Sequence, residues 1–106
     1  MNRGERLALR HYRVRGYRLL GANVRAAGYE LDLVVRRGRR VVVAEVKEKG
    51  GGGYGDPLEM IGPEKARRVR TAAGAWLATH PELAGLDVEL EAVGVRGRHV
   101  ERVPLE

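Results

Sequence analysis

Residues 28–49 read GYELDLVVRRGRRVVVAEVKEK, and this stretch constrains the rest of the chain. Two apolar runs, 31–35 and 41–46, flank the basic break Arg36-Arg37-Gly38-Arg39-Arg40. Runs of Val and Leu of this length, bounded by a glycine turn, predict two paired, buried strands. Yet Asp32, Glu45 and Lys47 sit inside or at the end of those runs. A buried carboxylate is costly unless something cationic compensates it. The three charges are therefore the strongest pointer to function in the chain.

Strand geometry groups them. Side chains alternate, so Glu45 and Lys47 share a face. With Gly38-Arg39 as a two-residue turn, residue 37 faces 40 and residue 32 faces 45; glycine at the first turn position suits a type II′ hairpin. Asp32 and Glu45 are then direct neighbours, ~5 Å apart at Cβ. With Arg37-Gly38 as the turn, Asp32 faces Val43 and Glu45 becomes a diagonal neighbour at roughly 7–8 Å. Both registers keep Asp32, Glu45 and Lys47 together, whereas a three-residue loop would separate them. By the same alternation Glu30 joins the face of Asp32, as an outer-layer residue or as the partner of an arginine.

Two carboxylates this close repel each other unless a cation lies between them. A hard divalent ion such as magnesium takes oxygen ligands and retains waters. Asp32 and Glu45 would hold it, with the Val46 carbonyl as a further ligand. Lys47 would place its ammonium beside the metal-bound water or the attacked phosphate. Only Lys47, Lys49 and Lys65 are lysines among 20 Lys and Arg, so a lysine at 47 runs against the chain's own bias. A compact ammonium fits where a forked guanidinium would not. The bland alternative is a structural ion pair at the rim of the sheet.

An acid on one strand and Glu45-Val46-Lys47 on the next resembles the PD-(D/E)xK nuclease superfamily. The ordered set Gly4-Glu5 with Ala8, Gly16-Tyr17, Asn23 and Arg25, Glu30-Leu31-Asp32-Leu33, Glu45-Val46-Lys47, Gly55 with Pro57, and Lys65 with Arg68 is similar to the YraN family of small bacterial proteins. That family is related to Holliday-junction resolvases. Two positions depart from its pattern: Tyr29 stands where a GEIDL-like motif has Gly, and Lys49 where Arg is usual. The resemblance implies a restriction endonuclease-like core, magnesium or manganese as cofactor, and hydrolysis of DNA. It implies branched DNA only by analogy with resolvases, which act as homodimers. It also implies that a Glu on the first helix adds a metal ligand, a role that falls on Glu5, against plain helix capping.

The flanking segments complete the outline. Residues 3–15 predict a helix with Asn2 as cap and Glu5 in a capping box. A strand is expected over 17–25, and a second helix over 62–80 with Pro63 in its first turn and Pro81 as its stop. Two further strands are expected over 87–95 and 99–103. Trp76 reads as core. Lys65 and Arg68 lie near the start of the second helix, where the resemblance implies a residue that approaches the site or the scissile phosphate, with a snorkelling side chain whose stem lies on the core as the alternative; Arg67 and Arg70 face away and could track a backbone. Arg36, Arg37 and Lys49 are further candidate phosphate contacts, with a solvated hairpin tip as the alternative for the arginines. Tyr54, in the glycine-rich stretch 48–57, could stack on a base.

The chain of 106 residues reads as one domain. It lacks cysteine, which excludes disulfides and thiolate metal sites, and lacks serine, which excludes a serine triad. The three histidines show no zinc spacing. No apolar run reaches spanning length and no signal peptide is evident, so the expected compartment is the cytoplasm, with no membrane partner. The net charge of +6 favours a polyanion, although arginine-rich coding would produce the same basicity. The fold expected is α/β: a mixed sheet of about five strands flanked by two helices. The function expected is metal-dependent DNA cleavage. The alternatives are a catalytically silent nucleic-acid-binding module of the same fold and a protein-interaction domain.

Overall fold

The computed structural model describes residues 1–49 and 61–105. Tyr54 and most of the glycine-rich stretch lie outside them. Five strands form one sheet in chain order: β1 (Arg18–Ala26), β2 (Tyr29–Arg37), β3 (Arg40–Lys49), β4 (Asp87–Arg96) and β5 (His99–Pro104). Neighbours are antiparallel except β3 and β4, which are parallel. A parallel pair needs a long crossover, and helix α2 (Pro63–Ala78) lies within it. Helix α1 (Arg3–Arg13) precedes the sheet. This is the mixed α/β architecture expected from the sequence.

The helices cover opposite faces. Ala8, Leu9 and Tyr12 of α1 pack with Leu33, Val35, Val42, Ala44, Val93 and Val95. Val69, Ala72, Ala73 and Trp76 of α2 pack with Leu31, Val34, Val41 and Val43. Trp76 is core, as its place in the helical stripe implies. The strands β2 and β3 are buried on both faces, which is why they read as near-continuous apolar runs.

Local signals set the boundaries. The Asn2 side chain accepts from the Glu5 amide at 2.8 Å, while the Asn2 amide donates to Glu5 Oε1 at 3.1 Å. That is the expected capping box. The helix stops at Arg13, two residues before the expected end, because the chain already turns toward Gly16 at φ 90. At the hairpin tip Arg37 pairs with Arg40 and Gly38 has φ 58, so Gly38-Arg39 is the turn. Of the two registers open in the sequence, this is the one that aims residue 32 at residue 45.

Period-two alternation fails at two places: a bulge in β1 between Leu19 and Gly21, and a second point further along the same pairing. Ala22 pairs with Leu33, and both pack toward α1. Two residues along, Val24 pairs with Leu31, and both pack toward α2. Strict alternation would have kept all four on one face. β1 and β2 therefore turn over together at Asn23 and Asp32. Asn23 has φ 50, a left-handed conformation that asparagine adopts more readily than most residues. The reversal corrects the expected placement of Glu30 on Asp32's face.

Candidate metal and nucleic-acid site

The site forms where the β2–β3 ladder stops. Its last pair is Leu33 with Ala44. One step further, the Asp32 carboxylate takes the place of a backbone partner: the Val46 amide donates to Asp32 Oδ2 at 2.8 Å. In an extended strand the N–H and C=O of one residue point to the same edge. The Val46 carbonyl thus faces the edge that Asp32 occupies.

Glu45 projects from β3 into this gap and is only 4% exposed. Its Oε2 accepts from the Tyr29 hydroxyl at 3.2 Å, and its Oε1 lies 3.9 Å from Lys65 Nζ. The Asp32 and Glu45 carboxyls are within hydrogen-bonding reach of each other. Burial first, then the Asp32 carboxyl as bonding partner and like charge, push Glu45 up to about 8. Burial also raises Asp32, against the opposing hydrogen bonds from Glu45 and the Val46 amide. Together the two hold a proton near neutrality.

Two ammonium groups stand beside them. Lys65 is lowered by burial and by the adjacent Lys47 amine, while Glu45 pulls it back up. Lys47 also exerts a favourable charge on Asp32. Asp32, Glu45, Lys47 and Lys65 are thus one cluster built from β2, β3 and α2. Burial and the Glu45 carboxylate raise the Tyr29 hydroxyl, which keeps it a donor.

Glu5 approaches from α1. Its charge opposes ionisation of Asp32, and its Oε1 accepts from Asn23 Nδ2 at 3.2 Å. The same amide lies 3.3 Å from Glu30 Oε1. Glu30 is therefore linked to the cluster through Asn23, rather than beside Asp32 or on an arginine. Among the described residues, no three carboxylate or imidazole side chains converge closely enough to form a metal cage. The oxygen groups gathered here are the Asp32–Glu45 pair and the Val46 carbonyl edge, with Glu5 on the α1 side.

The remaining candidates are dispersed. Lys49 ends β3 two residues past Lys47. Arg67 pairs with Glu64, and Arg68 lies 3.5 Å from the same carboxylate. Arg67 and Arg68 also wall a cleft of about 280 Å³ with Tyr29 and Thr71. Arg36 donates to the Gly38 carbonyl of its own turn at 2.7 Å. Arg37 donates to the Arg15 carbonyl at 2.9 Å and lies over the Tyr17 ring. The hairpin tip is five residues from Asp32 along β2, roughly 17 Å at strand rise.

Sequence reasoning missed Asn23 and Tyr29 as members of the site. Asn23 carried a usable signal, a turn-favouring residue inside a strand. Tyr29 carried only its parity with Leu31, which points the wrong way until the reversal at Asp32 is known. No helix among the described residues is long and apolar enough to cross a membrane.

The profile of "Uncharacterised protein family UPF0102" matches residues 4–98. A UPF0102 protein of Clavibacter michiganensis is 43% identical over 93 residues, covering 88% of this chain and 78% of the relative. One from Acidothermus cellulolyticus is 47% identical over 77 residues, covering 73% of this chain and 58% of the relative. One from Methylorubrum extorquens is 42% identical over 98 residues, covering 92% and 75%. Matches at this identity over most of the chain mean that it belongs to the UPF0102, or YraN, family.

Proposed function

We propose that this protein is a divalent-metal-dependent DNA endonuclease, with branched DNA as the substrate suggested by resemblance. The observation that carries the reading is the Asp32–Glu45 pair: two carboxyls brought together at a ladder end, with the nearest cation of Glu45 at 3.9 Å. A structural role would have been better served by a close counter-ion. The pair and the Val46 edge supply oxygen donors on one side only. That suits magnesium or manganese, which keep several waters and accept one or two protein carboxylates.

Bound there, such an ion supplies Lewis-acid charge to the phosphodiester. The other roles belong to the chain. Asp32 is held in place by the Val46 amide and presents its second oxygen to the gap. Tyr29 fixes the rotamer of Glu45. Lys47 and Lys65 set positive charge where negative charge develops on phosphorus. Glu5 and Asn23 brace the α1 side of the reversal.

The test is cleavage of labelled four-way junction, linear duplex and single-stranded DNA with magnesium or manganese. Wild type should cut, and Asp32→Asn and Lys47→Ala should each lose activity by at least two orders of magnitude. Salt-sensitive binding by all three proteins without cutting would replace the nuclease with a silent binding module.

A further inference from the structure

A second feature lies away from the carboxylate pair, along α1 and the turn between β4 and β5. There a cleft of about 450 Å³ is lined by Arg10 and His11 from the end of α1, Arg15 just beyond it, Arg98 from the turn and His99 from the start of β5. A second cleft of about 300 Å³ continues it along α1, adding Arg3 and Arg6 and sharing Leu7, Arg10 and Arg98. The two form one groove that follows the helix. Arginines at 3, 6 and 10 recur at helical spacing and so share a face.

No carboxylate lines either cleft. Acids do stand near the ends: Glu48 pairs with Arg3, and Glu101 lies 3.2 Å from His99. Arg6 and Arg15 donate to the carbonyls of Met1 and His11. Among the described residues, no carboxylate pairs with Arg10 or Arg98 in the middle of the groove. Burial, then the Arg15 charge, lower His11, so the cleft already resists further positive charge. The floor is apolar: Leu7 and Val100 rest on the α1 core, and Val14 is 70% exposed.

Guanidinium groups along an apolar floor match a chain that alternates phosphates with sugars and bases. Arginine grips phosphate oxygens, and apolar side chains accept the flat faces. We infer that the groove between α1 and the β4–β5 turn binds the backbone of a single nucleic-acid strand, with Arg10 and Arg98 contacting its phosphates. This rests only on the nucleic-acid part of the proposed function and does not require cleavage.

The experiment measures binding of a fluorescein-labelled 12-nucleotide single strand by anisotropy, from 50 to 300 mM salt. Wild type and Arg10→Ala/Arg98→Ala are compared, with Arg10→Lys/Arg98→Lys as the charge-retaining control. The double alanine variant should bind at least tenfold more weakly at 100 mM salt. Its log–log salt slope should fall by about 1.4, the value for two lost single-strand phosphate contacts. The lysine pair should restore the wild-type slope. An unchanged slope in the double alanine variant overturns the proposal. So does stronger displacement by polyglutamate than by unlabelled oligonucleotide of equal charge, which would assign the groove to an acidic protein. If wild type cuts no DNA but the slope still falls, the nuclease reading fails and the groove stands. If cutting is normal and the slope is unchanged, the groove fails alone.

Discussion

Two buried acids on neighbouring strands are treated in opposite ways. Glu91 on β4 is 5% exposed. It receives Arg102 through two hydrogen bonds of 2.9 and 3.2 Å, Arg40 at 3.3 Å and the Tyr12 hydroxyl at 2.7 Å. Burial alone would raise it, but these partners outweigh burial and hold it below the ordinary carboxylate range. Glu45 on β3 is equally buried, yet its nearest charge is another acid and its pKa rises to about 8. The same sheet can satisfy a buried carboxylate fully, and at Asp32–Glu45 it does not. Placing like charges together is a common signature of a site that receives an ion.

Removing each acid in metal-free protein should separate the two regions most sharply. Glu91→Ala leaves the half-buried Arg102 and the buried Tyr12 hydroxyl without their partner and should cost about 3 kcal/mol. At pH 5, where Glu45 still carries its proton, Glu45→Gln should change stability by less than about 1 kcal/mol in either direction. Urea denaturation measures both. Equal losses would erase the distinction.

The pH dependences should have opposite signs. Glu91 has a depressed folded pKa, so its contribution is present above the ordinary glutamate value. It is lost as pH falls through the folded one. Glu45 has a raised folded pKa. Its contribution is complete below the ordinary value and is lost as pH rises through about 8. Thermal melts in chelator from pH 3 to 9 should show wild type losing stability between about pH 5 and 8 relative to Glu45→Gln. The absence of that relative loss would mean that the two carboxyls do not share a proton.

A modest effect should come from Tyr29→Phe. It removes one hydrogen bond to Glu45 and should cost about 0.5–1.5 kcal/mol. It should also slow cleavage more than it weakens DNA binding, because it frees the Glu45 rotamer. Equal changes in both would make Tyr29 a wall of the cleft rather than a positioning residue.

Much of this was legible in residues 28–49. Charges inside apolar runs flagged Asp32, Glu45 and Lys47, and the glycine turn narrowed the register to two. What alternation could not reveal was the reversal at Asn23 and Asp32, because it is a backbone event shared by two strands. It moved Glu30 to the Asn23 side and brought Tyr29 to Glu45. The partners of Glu91 were hidden for another reason. Alternation groups Glu89 with Glu91 on one side of β4. Nothing local says that Arg102 and Tyr12 close over only one of them. Lys65 was only a marginal residue of its helix until α2 packed across the site.

If Asp32 and Glu45 form a divalent-cation site, manganese binding shows it most directly. Titration followed by electron paramagnetic resonance, with calorimetry in buffers of different ionisation enthalpy, should find one ion per chain. Near pH 7 about one proton should be released on binding, the proton that the pair holds in the ion's absence. Asp32→Asn and Glu45→Gln should each abolish that binding. Unchanged manganese affinity in both variants, or binding without proton release, would contradict the account.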